Sequence, residues 1–277
     1  MFSIFDGHFW PYSRVFDRVV LLVIIICLWL FRGRFSLTSI YHYFSSRKLK
    51  KELPKCLLAL FVASFLALVF LPYYVNLGEL KWSFKDFDYW LLRVPKILLG
   101  AILISLIEET FFRGLVFVNL KKVSSSILAA SISSFIYALV HFVVPVRTWE
   151  YPGLSLSVGF EYLAVVFTGI FNSNNLAAFF GLFLVGIVLC RLLEKSGSLL
   201  LCICIHAGWV IAIKLSTYLT ESIPGFIYSG GRRYYLVGKP LVWVSIIAVF
   251  TIVSIFLLNK NRQASSSVSD ENPICNK

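Results

Sequence analysis

Residues 97–120 read ILLGAILISLIEETFFRGLVFVNL, and this one stretch decides the class of fold. A helix needs roughly 20 mainly apolar residues to cross a bilayer, and the run supplies them without a proline. Near its middle it nevertheless carries Glu108, Glu109 and Arg113. An ionised group at the centre of a spanning helix costs at least about 2.5–3.5 kcal/mol, so such residues are rare and usually functional. Helix geometry sorts the three. Glu109 and Arg113 stand at i and i+4 with the acid on the N-terminal side, the favourable order for an ion pair on one face. Glu108 is turned about 100° from Glu109 and has no local partner. A neighbouring helix or a hydrated cavity has to meet it.

Working outward, the whole 277-residue chain has the same character: 58% of it is apolar and 14% charged. Ordinary globular chains hold about 25% charged residues, so the bilayer is the solvent here and the expected class is an all-α polytopic membrane protein. Apolar runs place eight spans at about 15–31, 56–77, 97–120, 126–145, 158–172, 176–193, 198–218 and 240–258, with seven as the other count. The fifth is short, holds Glu161, and also reads as a re-entrant or broken helix. The first ends in Arg32-Gly33-Arg34 rather than in a small-residue cleavage site, so it is expected to be retained. The chain divides into 1–94 (two spans and an amphipathic linker), a core at 95–218, a loop and last helix at 219–258, and a polar disordered tail at 259–277. Within the linker, the charged and aromatic residues of 81–90 suggest an interfacial helix.

The net charge of +12 would raise nucleic acid as a partner in a soluble chain. Here the basic residues cluster in loops, where lipid anchoring and topology explain them, and no polar domain exists to carry nucleic acid. Arg32, Arg34, Arg47, Lys48, Lys50, Lys51 and Lys55 oppose only Glu52 between the first two spans, which marks that loop as cytoplasmic. The six cysteines form no CxxC pair and sit mostly in apolar runs, so they support neither a disulfide framework nor a cysteine zinc site.

Two histidines join the intramembrane set: His141, four residues before Pro145, and His206, deep in the seventh span. Lys214 lies close enough to a helix end to snorkel. His141 alone could be a histidine facing headgroups, and His206 alone a packed core residue. Together with Glu108 and Arg113, on three helices, they suggest one polar site. Such a set can activate water with the glutamate as base, or ligate a divalent metal that does so. No HExxH pair decides between them, so no cofactor is called for and a metal stays open. A proton relay in a carrier is the generic alternative, but no internal repeat supports it.

Three segments carry a family resemblance. Glu108-Glu109-Thr110-Phe111-Phe112-Arg113 fits EExxxR, the segment ending Tyr137-Ala138-Leu139-Val140-His141 is similar to FxxxH with Tyr137 for Phe, and His206-Ala207-Gly208-Trp209-Val210 resembles HxxxN. In order and separation, over about residues 95–215, they resemble the CPBP family of CAAX proteases and bacteriocin-processing enzymes. The resemblance implies an eight-helix intramembrane glutamic endopeptidase with Glu108 as water-activating base and His141 as its partner. It further implies His206 at the oxyanion, and Glu109 with Arg113 in support. Implied partners are a peptide or membrane-protein substrate and membrane lipid, and the implied location is the cell (inner) membrane. Val210 departs from the family amide, and losing one oxyanion donor typically costs about 10²–10³ in rate. The backbone, the Trp209 indole, or Asn172, Asn174 or Asn175 are the candidate replacements. The same departure motivates the alternative of a non-catalytic binding or immunity protein on this fold.

Overall fold

The computed structural model describes Val19 and residues 46–142, 155, 157–170, 175–226 and 234–270. The first expected span, at 15–31, lies outside the described residues apart from Val19. In chain order the elements are α1 (Ser46–Leu68), α2 (Leu71–Asn76), β1 (Leu80–Trp82), α3 (Phe87–Glu109), a π-helical segment (Thr110–Phe117), α4 (Val118–Val123), α5 (Ser126–His141) and α6 (Val158–Ile170). Then follow α7 (Leu176–Ser196), α8 (Leu199–Leu219), β2 (Thr220–Ser222), a 3₁₀ turn (Leu236–Gly238) and α9 (Pro240–Asp270).

Among the described residues, four helical stretches are long and apolar enough to cross a membrane: Glu52–Asn76, Phe87–Val123, Leu176–Ser196 and Leu199–Leu219. Shorter apolar helices at Ser126–His141, Val158–Thr168 and Pro240–Phe256 occupy the fourth, fifth and eighth expected segments. Large apolar side chains on the outer faces stay uncovered, among them Leu58 and Phe61 on α1 and Leu99 and Ile107 on α3. In lipid such faces are solvated.

Helix α8 is the hub, packed on α1, α3 and α7. Its approach to α1 depends on Gly208, where an added Cβ would fall 2.4 Å from the Leu60 carbonyl oxygen. Small residues at such a crossing let backbones close up where no hydrophobic force drives helices together. Ser64 Oγ donates to the Gly208 carbonyl at 2.9 Å across the seam. The helix ends are capped from side chains. Ser125 accepts from Leu128 N–H and Ser198 from Leu201 N–H, each three residues on. Gly197 closes α7 with φ of 62°, a left-handed conformation that costs glycine least.

Two regions differ from the sequence reading. Residues 81–90 do not form an interfacial helix of their own: Lys81 and Trp82 belong to β1, which pairs antiparallel with β2 (Leu80 with Ser222, Trp82 with Thr220). Strand pairing satisfies the backbone while Leu80 is buried, and Ser83 and Lys85 both bind the Glu221 carboxylate. These two donors, Ser83 first, hold that carboxyl below its ordinary value. The helix starts only at Phe87, after the extended Asp86. At the other end the backbone of α9 stays helical to Asp270, past the boundary read at 258. Residues 259–270 contain neither glycine nor proline, so no helix stop falls there.

Candidate active site

The groups gather where α3, α5 and α8 meet. Glu108 is the penultimate residue of α3, and the chain then widens into the π-helical segment 110–117. π segments are rare and occur often at functional sites. Ser133 Oγ, from α5, donates to the Phe112 carbonyl inside this segment at 3.2 Å. His141 is the last residue of α5, and His206 lies in the first half of α8.

Glu108 Oε2 stands 3.6 Å from His141 Nε2 and 3.8 Å from His206 Nε2. Both exceed direct hydrogen-bond reach, and Glu108 Oε2 is buried without a hydrogen bond. The far nitrogens of both rings are committed. His141 Nδ1 lies 2.7 Å from the Tyr137 carbonyl, which only accepts, so that nitrogen carries the proton and donates. His206 Nδ1 lies 2.7 Å from Glu109 Oε1 and donates to that carboxylate. Each Nε2 is thereby turned toward Glu108.

Glu109 and Arg113 form the expected pair, with Nη1 2.9 Å from Oε1 and both side chains fully buried. The guanidinium also lies over the Tyr137 ring, 4.5 Å from its centroid. The glutamate thus does two things: it neutralises Arg113 and it fixes the His206 ring. Tyr137, 1% exposed, brings its hydroxyl within 3.3 Å of His206 Nε2.

A cavity of about 260 Å³ opens from this cluster. Glu108, Tyr137, His141 and His206 line one part, with Trp209, Val210, Lys214 and Tyr234 among the other lining residues. Trp209 is 5% exposed and its indole N–H has no hydrogen-bond partner among the described residues. Of the asparagines considered beside it, Asn172 and Asn174 lie outside the described residues and Asn175 precedes α7 without lining the cavity. Among the described residues no set of three or more His, Cys, Asp or Glu side chains is arranged to hold a metal ion.

Sequence reasoning noted Tyr137 only as a departure from a pattern. It missed that the backbone carbonyl, ring and hydroxyl of Tyr137 each touch a different member of the site. Its two signals were the i, i+4 spacing to His141 and a phenol within an apolar helix.

Fold and site together define an integral membrane protein, mainly helical, with an acid–imidazole cavity among its helices. Residues 90–212 match the family model described as Type II CAAX prenyl endopeptidase Rce1-like, a match to the CPBP/CAAX protease family. Comparison with curated proteins and with solved structures gave no match.

Proposed function

We propose that the chain is an intramembrane endopeptidase that hydrolyses a peptide bond near a membrane face, with the core at 95–218 and the shorter helices completing an eight-helix, multi-pass bundle in the cell (inner) membrane. The observation that carries this is the meeting of Glu108, His141 and His206, from three helices, at one cavity. Separate burial of these groups would cost several kcal/mol more than one shared hydrated site.

Neutral His141, with its proton on Nδ1, offers a lone pair at Nε2 beside the Glu108 carboxylate. A water between them donates one hydrogen to each, the usual bridge across a gap longer than 3.5 Å. Its oxygen then faces the cavity. Glu108 takes a proton as this oxygen attacks the scissile carbonyl carbon, and the carbonyl oxygen becomes an oxyanion. His206, protonated at Nε2 and balanced at Nδ1 by Glu109, donates to the oxyanion, and the unpartnered Trp209 N–H supplies the second donor in place of the amide missing at Val210. As the tetrahedral centre collapses, the C–N bond breaks and the proton held by Glu108, passed directly or through His141, goes to the leaving amine. Glu109 and Arg113 position His206 and touch no reacting atom.

By family likeness the substrate is a peptide or membrane protein processed near its carboxyl end. Comparative peptidomics of membranes with and without the protein tests the reading, with Glu108→Gln as control. Peptides that accumulate only with the wild type support it. Identical peptide sets in all three favour the second reading, a non-catalytic binding or immunity protein, which Val210 motivates.

A further inference from the structure

A second cavity, also of about 260 Å³, opens toward the start of α8 and shares no lining residue with the first. On α8 it reaches Ser198 and Leu201, whereas the first begins at His206 and runs to Tyr218. Its polar end is built where α1 and α8 begin and α7 ends. Ser198, the N-cap of α8, donates to Glu52 Oε2 at 2.6 Å. Lys195, in the last turn of α7, donates to Ser254 Oγ on α9 at 3.3 Å and lies 4.7 Å from the Phe250 ring centroid. Lys55 stands three residues past Glu52 and lines the same end. Two ammonium groups therefore share this end with one carboxylate, which already accepts a hydroxyl. The hydroxyl and ring that meet Lys195 carry no charge to balance it.

Away from the lysines the lining is hydrocarbon: Ala59, Val62, Leu201 and Val253, with Leu58 and Phe256 more than half exposed beside them. Glu52 to Val62 is ten residues of α1, about 15 Å at 1.5 Å per residue. That is half of a hydrocarbon core about 30 Å thick, the depth of one leaflet. Cations at one end and a leaflet's depth of apolar wall at the other match the polarity and length of a phospholipid. A small soluble anion would use the lysines and leave the wall bare. The side is consistent as well. Arg47, Lys48, Lys50 and Lys51 directly precede this end of α1 in the loop read as cytoplasmic, and anionic lipids enrich that leaflet. We propose that this groove binds one anionic phospholipid of the cytoplasmic leaflet, its phosphate at Lys55 and Lys195 and an acyl chain along α1 toward Val62. The site is separate from the acid–imidazole cluster and does not depend on the peptidase reading.

A lipid seated there touches α1, α7, α8 and α9 together, so its binding raises the melting temperature in proportion to occupancy. The test titrates the purified full chain, in neutral detergent, with phosphatidylglycerol or phosphatidylcholine of the same acyl chains, or with glycerol 3-phosphate. Half-saturating concentrations are read from the melting shift. Each lysine near an anionic lipid contributes about fivefold in affinity, so wild type should prefer phosphatidylglycerol by about 25-fold. Lys195→Gln should lose about fivefold of this, and Lys55→Gln with Lys195→Gln should lose nearly all of it. Lys195→Arg should keep the preference. So should Lys122→Gln, which removes a charge at the same end from an exposed residue outside the groove, bound to Asn119. Equal response of the wild type to both lipids overturns the proposal. A preference that survives in the double variant, or that falls as far in Lys122→Gln, assigns it to the diffuse surface potential and also overturns the site. A shift by glycerol 3-phosphate as large as that by phosphatidylglycerol leaves the acyl chain no part and refutes the lipid assignment. If the double variant fails to fold, the fivefold loss in Lys195→Gln and its absence in Lys195→Arg decide.

Discussion

Replacing Arg113 by methionine should cost more stability than any other single change within the site. The methionine fills much of the volume, so the loss is electrostatic. In the wild type, Arg113 Nη1 and His206 Nδ1 both approach Glu109 Oε1, at 2.9 and 2.7 Å, in a place where neither Glu109 nor Arg113 is exposed by more than 1%. Breaking a buried pair by removing one partner costs about 3–5 kcal/mol, because the remaining charge is left uncompensated. His206 still donates to Glu109, so the lower end applies, about 3 kcal/mol. The stacking of the guanidinium on Tyr137 adds about 1 kcal/mol more. At roughly 2–4 °C per kcal/mol for a chain of this size, the melting temperature should fall by about 8–16 °C. The second variant needed is Arg113→Met with Glu109→Gln, which removes both charges together and should recover most of the loss. Thermal unfolding in detergent, followed by intrinsic fluorescence, reads all three proteins. A single variant within 1 °C of wild type, or a double variant worse than the single, would refute the ion pair as a structural element.

Gly208→Ala should destabilise by about 1–3 kcal/mol, because its Cβ would meet the Leu60 carbonyl at 2.4 Å and force α1 from α8; the same melting assay detects it. Tyr137→Phe keeps the ring over Arg113 but removes the hydroxyl 3.3 Å from His206, so turnover should fall about two- to tenfold with melting nearly unchanged. Val210→Asn should alter turnover by less than tenfold if Trp209 already serves the oxyanion, whereas a rise of about 10²–10³ would mean that a donor was missing.

The sequence made the apolar helices legible because hydrocarbon length is additive along the chain: the segments at 56–77, 176–193 and 198–218 coincide closely with helical stretches. Intramembrane charge made the site residues legible in the same way. Glu108, His141 and His206 stand out in one dimension because each is costly there, and the structure brings them to one cavity. What stayed hidden depends on contacts through space. The π-helical turn after Glu109 leaves no mark in residue pattern, since Thr110 to Phe117 reads as ordinary apolar helix. Strand β1 is three residues long and is defined by a partner almost 140 positions away, so 81–90 could be read only by its local amphipathicity. Lys214 illustrates the same limit. Its distance from the helix end suggested a lysine reaching for water, and only the packing of α8 lines it up with His206 along a shared cavity.

The most direct measurement of the central claim is peptide turnover by purified protein, compared between wild type and Glu108→Gln. The substitution keeps size and shape while removing the base. It should leave the melting temperature within 1–2 °C, because Glu108 Oε2 makes no hydrogen bond to any of the described residues. Loss of a general base predicts turnover lower by about 10²–10⁴. A Glu108→Gln protein that is equally stable and cleaves at the wild-type rate, or a wild type no more active than that variant, would contradict the account.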